Sequence, residues 1–273
     1  MNLEYKNLQI ELTNACNLSC VECPHRVMQR TVCNMSDDVF TKILNEFIVG
    51  KNIFGVILSK DGEPLINNRL TSYINRISDV NQTVKIDLYT NGLFLNKQFL
   101  VNLASKPNMS RVMITFHFYD ACGQKNDYQP LTDLLLEVLQ IPMPKISFSL
   151  ITHITKFVST QELDDWKKFW TQVKLANKFD AIIVNPHINP WNGKVPEGNT
   201  WNDVCAYGHG MDLFIGNTGN VLACCADLDE EIIFGNIMTE PIDKIMKKRT
   251  EFYQRMQQHI YTDPICKRCI RSK

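Results

Sequence analysis

At 273 residues, 44% of them hydrophobic, the chain is long enough to bury a core as one large domain, or as one large and one small. Lysine plus arginine balances aspartate plus glutamate at 29 each, so no net field draws the protein to nucleic acid or acidic lipid. Small molecules or peptides are the expected partners, and no nucleic acid is expected.

The opening MNLEYKNLQIELTN carries polar and acidic residues where a signal peptide needs an apolar centre. No apolar run approaches the ~20 residues of a membrane span, so the expectation is a cytoplasmic chain with no membrane partner. Ten cysteines in that reducing compartment point to metal ligation rather than disulfides.

Six β-branched, apolar runs follow at even intervals, beginning at Leu8, Ile53, Val84, Arg111, Lys145 and Ala181. Helical patterns lie between them. The clearest covers 36–49, where Ser36 can cap, Asp37 and Asp38 suit the positive helix start, and Val39, Phe40, Ile43, Leu44, Phe47 and Ile48 form one apolar face. Strands that read as nearly continuous apolar runs, alternating with helices, predict a parallel sheet covered by helices. The fold class is α/β, a partial (β/α)6 TIM-like barrel. In such sheets chemistry sits at the carboxyl ends of the strands.

From about residue 186 a segment rich in Pro, Gly and Asn reads as a connection, dividing a barrel domain, 1–190, from a smaller one, 191–273. In that second unit MDLFIGNTGNVLACC predicts a hairpin around Gly216 to Gly219, and 241–259 predicts a helix. Lys244, Lys247, Lys248 and Arg249 are expected on that helix's solvated side.

Just after the first strand, Cys16, Cys20 and Cys23 form C-x3-C-x2-C, close enough for one loop to bring three sulfurs to one side of a metal centre. Thiolates select zinc or iron–sulfur clusters. Structural zinc takes four ligands, so three local cysteines suit an iron–sulfur cluster with one iron open, while His25 as a fourth ligand would make a zinc site. A second set, Cys205, Cys224, Cys266 and Cys269, is spaced by 19, 42 and 3 positions and by itself favours structural zinc.

The first triad after a first strand is the signature of the radical S-adenosylmethionine enzymes, and the chain is identified as a member. DGEPL at 61–65 resembles that family's glycine-glycine-glutamate-proline motif, and YTNG at 89–92 its segment near the cofactor ribose. The resemblance implies that Asp61, Gly62, Glu63 and Pro64 line the methionine end, with Glu63 pairing the ammonium, and that Asn91 and Thr115 face the cofactor. Two residues depart from the pattern: Glu22 stands where an aromatic residue is common, and Asp61 where the first glycine is usual.

GNVLACCAD at 219–227, FGNI at 234–237, WNG at 191–193 and the closing CKRC resemble the auxiliary-cluster extension of these enzymes. The short, twitch form of this SPASM-like extension implies a second four-iron cluster on Cys205, Cys224, Cys266 and Cys269. Cys225, Cys33 and Cys122 read as structural. His117, His153 and Asp227 are candidates for handling protons.

The resemblance implies two 4Fe-4S clusters, S-adenosylmethionine, and a reducing partner such as flavodoxin or ferredoxin. The expected activity is oxidation of a small polyol, aminocyclitol or sugar through a 5′-deoxyadenosyl radical. The alternatives are peptide epimerisation or crosslinking and, from another class, a zinc-stabilised binding module.

Overall fold

The structure, a computed structural model, describes residues 5–141, 147–177, 181–185, 191, 194–195 and 204–270. Asn192 and Gly193, and most of the 186–204 connection, lie outside the described residues.

The six expected strands are present as β1 (Asn7–Ile10), β2 (Gly55–Leu58), β3 (Lys85–Thr90), β4 (Met109–Phe116), β5 (Ser147–His153) and β6 (Ala181–Asn185). All pair in parallel in chain order. Side chains alternate across a strand, so one set enters the core and the other points to the opposite, concave face. Leu8, Ile10, Val56, Leu58, Ile86, Leu88, Val112 and Ile114 are all 0% exposed and form the core set. Helices α1 (Asp37–Ile43), α2 (Leu70–Val80), α3 (Lys97–Ala104), α4 (Gln129–Val138) and α5 (Thr160–Asn177) supply the covering layer. Phe116 at the end of β4 meets Trp166 and Trp170 of α5 at ring distances of 5.5 and 5.8 Å.

Ser36 caps α1 by accepting from Val39 N at 3.3 Å, as its sequence predicts. The α-helix stops at Ile43, however, and Leu44–Ile48 widens into a π turn. That turn keeps the adjacent Phe47 and Ile48 both buried.

The second unit extends the same sheet. Strands β7 (Asp212–Ile215), β8 (Asn220–Leu222) and β9 (Ile233–Asn236) complete the order β6-β5-β4-β3-β2-β1-β7-β8-β9. β7 lies parallel to β1, so the edge of β1 is paired rather than open. The hairpin at Gly216 to Gly219 is the expected one, and the ladder of β9 on β8 was not predicted.

Helix α6 (Ile242–Gln257) matches its expected span, with one correction. Lys244, Lys247 and Lys248 are exposed, but Arg249 is 0% exposed. Helical spacing places it with Ile245, Phe252, Tyr253 and Met256 on the inner face, and its guanidinium donates to Asp212 O at 3.0 Å and lies 4.7 Å from the Tyr253 ring. Helix α7 (Pro264–Cys269) carries CKRC.

Candidate active site

The cysteine loop leaves β1 at the carboxyl end of the sheet. Its neck is closed by Asn14, whose side chain accepts from Cys33 N at 2.8 Å and donates to Thr31 O at 3.0 Å. Its tip is pinned to the segment after β4, where Ala121 N donates to Ser19 O at 2.7 Å. Burial pushes the thiol pKa values of Cys16, Cys20 and Cys23 upward, that of Cys23 to about 12, and the field of Cys16 adds to the shifts of the other two. Thiols raised in this way need a cationic centre to ionise, which an iron–sulfur cluster supplies. The zinc reading requires His25, whose Nε2 donates to Asn14 O at 2.8 Å, leaving only Nδ1 for a metal. Among the described residues, no group of three or more His, Cys, Asp or Glu converges on a single-ion site.

The loop after β2 packs directly on this neck. A Cβ on Gly62 would lie 2.3 Å from Thr13 O and 2.7 Å from Ala15 O, so only glycine fits there, and Glu63 N donates to Ala15 O at 2.8 Å. Pro64 opens a short 3-10 turn capped by Glu63. Glu63 is 2% exposed and already accepts from Leu65 N, Thr90 Oγ1 and Asn91 N, at 3.0, 2.7 and 2.7 Å. The carboxylate expected to pair with the cofactor ammonium therefore also latches the β2 loop to the end of β3. Burial raises its pKa against those three bonds. Asn91 likewise serves the loops, donating to Asn17 Oδ1 at 2.9 Å. Asp61 does not stand in for glycine by forming a bare turn; its carboxylate accepts from Arg30 at 2.8 Å and from Lys60.

Thr115, His117, Ile151 and His153 follow the alternate, concave-face register of β4 and β5. The His117 and His153 rings stack, 6.1 Å apart and 5° from parallel. His117 Nδ1 lies 2.7 Å from Glu22 Oε1, on the cysteine loop itself. Burial works to raise the Glu22 pKa, but the hydrogen bond and charge of His117 win and hold it below the ordinary carboxylate value. Glu22 is 7% exposed and its Oε2 has no partner among the described residues. Sequence reasoning passes over Glu22 as a family departure; the available signal was an acidic residue inside a cysteine loop.

In the second set, Cys205, Cys224, Cys266 and Cys269 are each raised by burial, Cys266 to about 12, and the field of Cys205 reaches the other three. The structure thus places Cys205 within electrostatic reach of thiols up to 64 positions away, as far as α7. Cys225 turns away to donate to Tyr207 OH at 2.9 Å. Asp227 does not fit its expected proton-handling role. It is 0% exposed, and its two oxygens accept from Glu231 N and Ile232 N at 2.8 Å each, which makes it the former of the 227–232 turn.

A cysteine loop at the mouth of a partial parallel barrel, followed by a second thiol set, defines a class. Residues 205–270 match the SPASM family, an iron–sulfur cluster-binding domain. Residues 205–270 thus carry a SPASM-type iron–sulfur extension, and along its length the chain is similar to radical S-adenosylmethionine enzymes.

The particular protein it follows along nearly its whole length is the S-adenosyl-L-methionine-dependent 2-deoxy-scyllo-inosamine dehydrogenase of Niallia circulans, 22% identical over 98% of this chain and 94% of that one. The crystal structure of BtrN in complex with AdoMet and 2-DOIA superposes with a TM-score of 0.67 at 18% identity, covering 98% of this chain and 93% of that chain. Streptococcus suis SuiB bound to its precursor peptide SuiA gives 0.66 at 13% identity, covering 99% of this chain and 68% of that chain. The GTP 3′,8-cyclase of Clostridium botulinum is 23% identical over 64% of this chain and 56% of its own length.

Proposed function

We propose that the protein is a radical S-adenosylmethionine oxidoreductase that oxidises a carbon–hydrogen bond of a small polyol, aminocyclitol or sugar. The observation that carries this reading is the Cys16, Cys20 and Cys23 loop after β1, with Cys20 buried and Glu22 of the same loop bonded to His117, together with a second half-buried thiol set. Similarity to an aminocyclitol dehydrogenase over nearly the full chain supports the substrate class.

Cys16, Cys20 and Cys23 would hold the first 4Fe-4S cluster, and Cys205, Cys224, Cys266 and Cys269 the second. When bound, the reduced first cluster and S-adenosylmethionine supply hydrogen-atom abstraction from carbon. The Gly62–Pro64 loop would shape the methionine end, with Asn91 and Thr115 toward the remainder. His117, oriented by Glu22, takes the hydroxyl proton of the substrate, and the second thiol set holds the acceptor of its remaining electron. The substrate loses two electrons and two protons in all, one pair as the abstracted hydrogen atom, leaving a carbonyl. The electron that reduces the first cluster comes from an external donor such as flavodoxin or ferredoxin. We divide the chain at 190/191 into barrel and auxiliary units and place it in the cytoplasm, where thiols stay reduced. Among the described residues no helix is long and apolar enough to cross a membrane.

Anaerobically reconstituted protein should hold about eight irons with matching sulfide. Replacing Cys16, Cys20 and Cys23 together should abolish 5′-deoxyadenosine formation, and replacing Cys266 and Cys269 should remove only the second cluster. Zinc without sulfide, or deoxyadenosine from the triple variant, would overturn the reading. Deuterium transfer into deoxyadenosine from deuterated cyclitols, tested beside peptides, identifies the substrate class.

A further inference from the structure

Arg30 closes the cysteine loop and makes five hydrogen bonds with its five N–H donors. Nε donates to Leu228 O at 2.6 Å, Nη1 to Glu11 Oε2 and Glu230 Oε1 at 2.8 Å each, and Nη2 to Glu11 Oε1 and Asp61 Oδ2 at 2.7 and 2.8 Å. One guanidinium thus joins the end of β1, the cofactor loop after β2, and the auxiliary turn at 227–230. A second strut runs beside it: buried Lys60 donates to Asp61 and, at 2.9 Å, to Asp227 O.

The auxiliary side is built to deliver its carboxylate at local cost. Glu230 adopts φ 57, a conformation side chains rarely take. A Cβ on Gly216 would lie 2.4 Å from Glu230 Oε1, so glycine there leaves room for the carboxylate. Asn220 Nδ2 holds the other oxygen at 2.6 Å. Asp61 immediately precedes Gly62, whose α-carbon is wedged against the carbonyls leading into Cys16. A shift of the auxiliary turn is therefore carried through Arg30 and Asp61 into both cofactor loops.

We infer that Arg30 and Glu230 are positioning residues through which the auxiliary domain sets the S-adenosylmethionine-binding geometry of the first cysteine loop, apart from any electron it accepts. This rests on the functional reading above, and it assigns a reason for aspartate at position 61.

Two variants act on the carboxylate without touching a cysteine. Glu230→Gly removes it and relieves the positive φ, so the backbone is eased rather than strained. Gly216→Ala displaces it from Arg30 by contact. In anaerobically reconstituted protein both should keep wild-type iron and sulfide, bind S-adenosylmethionine about tenfold more weakly by equilibrium titration, and alter the electron paramagnetic resonance change that it causes in the reduced first cluster. Glu230→Gln, which retains an acceptor for Arg30, should recover most of the affinity. Wild-type affinity and spectra in both variants would overturn the inference, as would loss of auxiliary iron alone, which would confine Glu230 to folding its own domain. Wild-type protein that fails to bind S-adenosylmethionine would instead overturn the functional reading, and this inference with it.

Discussion

Replacing Gly62 with alanine tests whether the loops after β1 and β2 are one mechanical unit. The added Cβ would meet Thr13 O at 2.3 Å, Ala15 O at 2.7 Å and Asn14 Cα at 2.9 Å, all backbone atoms that cannot swing aside as a side chain does. Reaching ordinary contact requires the loops to part by about 1 Å. That separation breaks the 2.8 Å bond from Glu63 N to Ala15 O and draws the Glu63 carboxylate off Thr90 and Asn91.

Overpacking costs about 1–3 kcal/mol and the backbone hydrogen bond about 1 more, giving about 2–4 kcal/mol. With a urea slope of about 3 kcal/mol/M, the unfolding midpoint should fall by about 1 M. Gly50→Ala is the control, because no described residue lies within 4 Å of its Cβ and only its φ of 66 would strain an alanine. Its cost should stay near 1 kcal/mol. Tryptophan fluorescence during anaerobic urea unfolding reads both midpoints, and equilibrium titration reads S-adenosylmethionine affinity. A Gly62→Ala protein with the stability and affinity of Gly50→Ala would refute the packing argument.

Two further outcomes are expected. Glu11, fully buried and doubly bonded to Arg30, has its pKa held below the ordinary 4.5: burial works to raise it, but the Arg30 hydrogen bond and the Lys60 and Arg30 charges prevail. A depressed carboxylate stabilises above its unfolded pKa and loses that contribution as pH falls through the folded one. Glu11→Gln should therefore cost about 3 kcal/mol near pH 7 and progressively less below pH 4.5, as read by unfolding midpoints; a pH-independent deficit would contradict this. His117→Gln should keep deuterium transfer into deoxyadenosine while oxidised product falls about a hundredfold, since only the proton acceptor is lost. Equal losses in both would remove His117 from the proton-handling role.

The alternation of apolar strands and helices was legible because burial on both faces of a parallel sheet writes itself as continuous hydrophobic runs. The C-x3-C-x2-C triad was legible because its cysteines are local, sharing one loop. Arg249 was misread because its charge suggested solvent, while the helical phase shared with Ile245 and Tyr253 turned it inward. Asp227 was misread because a lone carboxylate does not announce that two backbone amides of its own turn will occupy it.

What the sequence by itself determined, then, were the features encoded by short-range pattern: the strand–helix repeat, the first cysteine loop, the Ser36 cap and the Gly216 to Gly219 hairpin. Only the tertiary structure decided which distant groups meet. Glu22 reaches His117 across 95 positions, and Arg30 reaches Glu230 across 200. The physical reason is that no local periodicity specifies such pairs: they follow from strand order and loop closure, with β7 laid beside β1 bringing the 227–230 turn against the loops after β1 and β2.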